Sequence, residues 1–220
     1  MFVAQTALWV AWNVFLAAIP VATGLAMAAL IERFTLRSRR VPLAAWTPVA
    51  LVWFVFLPNT CYLLTEWRHF IANGNFVELA TAAETRQSYL LPIARWSLFY
   101  VFYSGIGIVT FGLSIRPVER VLRRLNAPMN LLAAPFFFVT SLGVYMGLIV
   151  RLNSWDLGAR PGHVLEVALH GLTTPELLRT IVAFAICLWI LYELVDIWLD
   201  GVQLRIERWR QTAARSREKA

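Results

Sequence analysis

The 220-residue chain is 59% hydrophobic and 15% charged, where globular domains are about half apolar and a quarter charged. That balance excludes a soluble single-domain protein, and with 11 Gly, 10 Pro and 2 Cys it also excludes a disordered chain, a collagen-like repeat and a disulfide scaffold. The net charge of +7, from 20 Lys+Arg against 13 Asp+Glu, reports topology in a membrane chain, and no nucleic-acid partner is expected.

Five stretches reach the roughly 20 apolar residues that a helix needs to cross a hydrocarbon core. The first, Ala7 to Ile31, has no Lys or Arg before it and Glu32, Arg33, Arg37, Arg39 and Arg40 after it, so it reads as a retained helix and not a signal peptide. The second, Trp46 to Leu64, runs into the polar segment from Phe56 to His69. Pro58 lacks the N–H that would meet the Phe54 carbonyl, which predicts a kink just before Asn59. If the helix resumes, Asn59, Tyr62, Glu66 and His69 follow at steps of 3, 4 and 3 and share one narrow face. Two readings of that face stand open. It is a polar site, or Asn59 satisfies carbonyls freed by the proline while Glu66 and His69 sit among outer headgroups.

Asn73-Gly74-Asn75 then signals a turn, and Phe76 to Leu90 is expected as a short surface helix. The third span is Ile93 to Ile115. The fourth, Leu131 to Val150, carries Gly143 and Gly147 as a G-x-x-x-G pair that admits a helix partner. The same face continues to Arg151 and Ser154, beside Asn153 and Asp156. Gly158, Pro161 and Gly162 break the chain before the apolar-rich Val164 to Leu172, and both loops on this side are expected to lie on the membrane. Thr174-Pro175-Glu176 supplies a cap, a first-turn proline and an acid for the fifth span, Leu177 to Leu199.

Of the 20 basic residues, 14 follow the first, third and fifth spans. The positive-inside rule therefore predicts an all-α five-span bundle with its N-terminus outside and its C-terminus cytoplasmic. Trp9, Trp12, Trp67, Trp96 and Trp155 near outer ends, with Trp46 and Trp198 near inner ends, fit aromatic belts. Residues 1–200 read as one transmembrane domain and 201–220 as a basic cytoplasmic tail that touches anionic lipid. Glu193, Asp196 and Asp200 share one face at the inner end of the fifth span, where the arginines of the two inner loops are expected to neutralise them.

The segments Asn13 to Pro20, Phe56 to Asn59 with Tyr62 to Glu66, and Gly143 to Tyr145 with Asn153 to Asp156 resemble the bacterial multi-pass membrane family called domain of unknown function 1361. The resemblance runs from about Trp12 into the fifth span. It implies a bacterial cytoplasmic-membrane location and supplies no activity. In the family pattern an Asp often stands at the position of Glu66 and another near the start of the third span, where this chain has no acid between Glu84 and Glu119.

Chemistry is sparse. Glu66-x-x-His69 has the spacing used in di-iron bundles, but it occurs once, with Asp156, His163 and His170 as the only supplements, so no metal and no cofactor are expected. Cys61 and Cys187 form no C-x-x-C, and no nucleophile elbow or phosphate-binding loop is present. The expected site is an outer polar cluster of Asn59, Tyr62, Glu66, His69, Arg151, Asn153 and Asp156, with Glu66 and Arg151 as an ion pair. Two functions compete for it. One is a binding or accessory protein that holds a lipid headgroup, a small polar ligand or a helix partner. The other is a membrane-embedded enzyme acting on an envelope lipid or glycan precursor, with Glu66 or His69 as acid or base and Arg151 holding an anionic group.

Overall fold

The computed structural model describes residues 2–36, 43–67, 71 and 76–218. In chain order the helices are α1 (Phe2–Leu36), α2 (Leu43–Phe56), α3 (Pro58–Thr65), α4 (Phe76–Thr85), α5 (Leu90–Arg124), α6 (Met129–Leu148), α7 (Asp156–Ala159), α8 (Pro161–Thr173) and α9 (Pro175–Glu218). The fold is all-helical, with no strand among the described residues and five helices long and apolar enough to cross a membrane. These are α1, the α2–α3 pair, α5, α6 and α9.

The α2–α3 break falls at Leu57, as the missing N–H of Pro58 dictates. The Leu57 N–H still donates to the Trp53 carbonyl at 3.0 Å and Thr60 N–H to the Leu57 carbonyl at 3.1 Å, so the chain keeps its direction through the break. The expected fourth span overruns α6 by Ile149 and Val150, where the chain turns. At the other extreme, α5 and α9 carry their helices well past the apolar stretch into charged sequence. On α5 a Glu119–Arg123 pair at i,i+4 supports that extension, and on α9 the Arg205 guanidinium lies 5.4 Å from the Trp209 ring centre. The stretch read as a tail beyond residue 200 is thus helical to Glu218.

Helices α3 and α5 occupy the middle. Helix α1 packs on α2, α3 and α5, while α6 packs on α3 and α9, and α9 also meets α5. Between lipid-embedded helices there is no hydrophobic drive, so close approach and interhelical hydrogen bonds carry the association. Two glycines permit that approach: a Cβ on Gly24 would stand 2.5 Å from the Ser114 carbonyl oxygen, and one on Gly107 would stand 2.8 Å from Leu63 Cβ. At the first of these contacts Trp53 Nε1 donates to the Ser114 carbonyl at 2.9 Å, joining α2 to α5. Ser141 Oγ likewise donates to the Ile181 carbonyl at 2.7 Å, joining α6 to α9. Outward-facing Leu25, Leu51, Phe102, Ile186 and Ile190 are exposed, as lipid contact allows.

The arginine-rich end is closed by charge. Arg116, 5% exposed, pairs with Asp196 at 3.0 Å and with Asp200, and donates to the Asp196 carbonyl at 2.8 Å. Arg120 meets Asp200 at 2.9 Å, and Arg124 meets Glu32. Asp196 and Asp200 are thereby neutralised by arginine as the sequence predicts.

Candidate functional site

At the end away from these arginines, a cavity of about 230 Å³ opens between α2–α3 and α6. Phe54, Val139, Met146 and Leu157 are among its apolar walls, and Tyr62, Thr140, Asn153 and Ser154 supply its polar groups. The Pro58 break builds one side. Asn59, on the first turn of α3, donates through Nδ2 to the Phe56 carbonyl at 3.0 Å and to Ser154 Oγ at 3.0 Å. Ser154 Oγ donates in turn to the Val55 carbonyl at 3.2 Å. Asn59 therefore satisfies a carbonyl beside the break and also ties α3 to the loop after α6.

The glycine pair of α6 builds the other side. A Cβ at Gly143 would stand 2.7 Å from Pro58 Cγ, and one at Gly147 would overlap the Tyr62 hydroxyl. Tyr62 donates to the Gly143 carbonyl at 3.4 Å. The face expected to receive a helix partner through Gly143 and Gly147 thus receives Pro58 and Tyr62 of the same chain.

Of the expected cluster, Asn59, Tyr62 and Asn153 come together here, joined by Ser154. Glu66 does not line the cavity. It caps α3, 8% exposed, and its electrostatic neighbours include Tyr100 and Tyr103 of α5. Close by, Trp67 Nε1 donates to Ser104 Oγ at 2.8 Å and Ser104 Oγ to the Leu63 carbonyl at 3.3 Å. The expected Glu66–Arg151 ion pair is not among those of the described residues. Arg151 is exposed, with a left-handed φ of 63° that turns the chain out of α6. His69 lies outside the described residues, as do Asn73 to Asn75.

Asp156 has a structural partner set. Its Oδ2 accepts the Asn153 backbone N–H at 2.7 Å and its Oδ1 accepts Arg160 Nη2 at 2.8 Å. The Arg160 guanidinium, and then the Asn153 N–H, hold its carboxyl below the usual carboxylate range. This closes the turn that presents Asn153 and Ser154. Ser154 and Thr140 were absent from the expected site. Ser154 carried a signal, since it continues the glycine face of α6, whereas Thr140 looks like any hydroxyl bonded to its own helix, here the Phe136 carbonyl at 2.9 Å. Among the described residues no group of three or more His, Cys, Asp or Glu side chains could hold a metal ion.

These features define a class: an all-helical bundle with five helices long and apolar enough to cross a membrane, holding an uncharged, amphipathic cavity at one end. The family described as "Protein of unknown function (DUF1361)" matches residues 12–191, and the chain belongs to it. Comparison with curated proteins and with solved structures gave no match.

Proposed function

We propose that this is a binding protein of the bacterial cytoplasmic membrane, which holds an amphiphile with an uncharged, hydrogen-bonding head in the cavity at its extracytoplasmic face. The orientation rests on the 14 of 20 basic residues that follow the first, third and fifth spans. The observation that carries the ligand class is the lining itself. Its walls are apolar, its polar groups are hydroxyls and an amide, and none of the residues lining it is charged. Such a site pairs hydrogen bonds with a neutral head and leaves a phosphate or ammonium uncompensated. The catalytic alternative rests on Glu66 or His69 as acid or base; Glu66 stands among Tyr100 and Tyr103 and not on the cavity, and His69 lies outside the described residues.

The test uses the full chain in phosphatidylcholine nanodiscs doped with diacylglycerol, read by native mass spectrometry. Diacylglycerol is expected to be retained over phosphatidylcholine. Met146→Trp, which fills the cavity, should lower that retention about tenfold, equivalent to about 1.4 kcal/mol. Ile190→Trp on the lipid-facing side of α9 should not. Equal loss in both variants, or none in Met146→Trp, contradicts the proposal.

A further inference from the structure

A second cavity, of about 410 Å³, lies in the arginine-rich half of the bundle among α2, α5, α6 and α9. Its volume falls within the roughly 300–1,000 Å³ of small-molecule sites. Aromatic pairs make its walls: Trp53 stacks on Phe136 with centroids 5.8 Å apart, and Phe137 on Trp189 at 6.0 Å. Phe54 and Val139 line both this cavity and the first one, so the two are neighbours along one cleft.

Charge is confined to one rim, formed by Glu119, Arg123 and Glu193 with Tyr192 beside them. Glu119 is 11% exposed; it accepts Arg123 Nε at 2.8 Å and the Tyr192 hydroxyl. That pair is neutral as a whole. Arg123 nevertheless remains 61% exposed and keeps donors for a further anion. Glu193 is exposed, accepts the indole N–H of Trp189 at 3.1 Å and lies within electrostatic reach of the Arg123 guanidinium, which it shares with Glu119. The rim therefore carries one net negative charge, its two carboxylates sharing a single guanidinium. The first residues of α6, Met129 and Asn130, line the cavity too and add the positive end of a helix dipole.

This pattern selects among headgroups. A purely anionic phospholipid matches Arg123 but adds a third anion where two carboxylates already share one cation. A choline headgroup supplies the cation but has no N–H to donate. A primary ammonium on a phosphate satisfies both groups, with the phosphate on Arg123 and the ammonium donating to Glu193. We infer that this cavity binds a phospholipid with a primary-amine headgroup, of the phosphatidylethanolamine kind, taken from the leaflet at the arginine-rich end. Its acyl chain lies along Trp53 and Phe137 toward the Phe54–Val139 wall. The site uses a charged rim that the first cavity lacks, and it stands whether or not that cavity is filled.

Native mass spectrometry of the full chain in nanodiscs of mixed phosphatidylethanolamine, phosphatidylcholine and phosphatidylglycerol tests it. The ethanolamine lipid is expected to be retained about tenfold over each of the others. Glu193→Gln should bring it down to the choline level. Ala133→Trp, which fills the cavity from α6, should remove the preference, while Ile190→Trp should leave it intact. Should Ala133→Trp fail to fold, Leu132→Trp carries the same expectation. Equal retention of the three lipids, a preference for phosphatidylglycerol, or an ethanolamine preference that survives Glu193→Gln overturns the inference. Because the first cavity is probed with a different lipid and a different blocking variant, either proposal can fail alone.

Discussion

Gly105 and Gly107 stand two residues apart on α5, and alanine is expected to act on them in opposite directions. At Gly107 the added carbon would meet Leu63 Cβ at 2.8 Å and the Thr60 carbonyl oxygen at 2.9 Å. Neither is the free end of a side chain, so no rotamer change clears the clash and α3 has to move away from α5. Overpacking of this kind costs about 1–3 kcal/mol, offset in part by the helix preference of Ala over Gly, up to about 1 kcal/mol. A net loss of up to roughly 2 kcal/mol lowers Tm by up to about 8 °C in a chain of this size. At Gly105 nothing lies within 4 Å of the added carbon, so only the helix preference acts and Tm should hold or rise by up to about 4 °C. Thermal unfolding followed by the fluorescence of the 10 tryptophans, in one detergent, measures both variants. If Gly107→Ala unfolds at or above the wild type, or below it by no more than Gly105→Ala, the α3–α5 contact is not as described.

Arg116→Met leaves the half-buried Asp196 without its buried guanidinium partner and should cost about 1.5–3 kcal/mol, part of which Asp196→Asn restores in the double variant, as read by the same unfolding. Arg151 holds a left-handed φ of 63°, so Arg151→Gly should be neutral or stabilising by up to about 1 kcal/mol, whereas an ion pair with Glu66 would make it destabilising. The Asp156 carboxyl is held low by Arg160 and the Asn153 N–H. The stability it lends the turn is therefore complete above the ordinary aspartate pKa of about 3.9 and is lost as pH falls from there toward its lower folded value. Amide exchange at Asn153 and Arg160, corrected for its intrinsic pH dependence, should lose protection only in that acid range, and Asp156→Asn should lose it at neutral pH. Cys61 is wholly buried, so it should resist maleimide in the folded protein and react once the bundle is unfolded.

The spans were legible because their signal is additive: some 20 apolar residues in a row leave no other structure available to the backbone in lipid. The break at Pro58 was equally plain, since it follows from one missing N–H. What periodicity could not give was the partner of each polar side chain. Asn59 and Glu66 lie seven residues apart, nearly two turns, and so share a face by arithmetic. Yet Asn59 turns to Ser154 while Glu66 lies by Tyr100 and Tyr103. Helix α3 packs against both α5 and α6, and the two side chains meet different neighbours. The Glu66–Arg151 pairing failed for a related reason, because the turn after α6 sends Arg151 outward while Asp156 and Arg160 satisfy each other locally. The glycine pair announced close packing but not its occupant. The larger cavity had no sequence signal, because its aromatic walls come from three helices and its charges look like an ordinary helix end.

Photo-crosslinking tests the amphiphile site most directly. Diacylglycerol carrying a diazirine in its acyl chain, reconstituted with the full chain in phosphatidylcholine nanodiscs and irradiated, marks the residues it touches, which peptide mass spectrometry then locates. The account predicts adducts concentrated on Phe54, Val55, Met146 and Leu157, which line the cavity, over Leu25, Leu51, Ile186 and Ile190, which are apolar and exposed but lie outside it. Labelling spread over both sets in proportion to their exposure would contradict it.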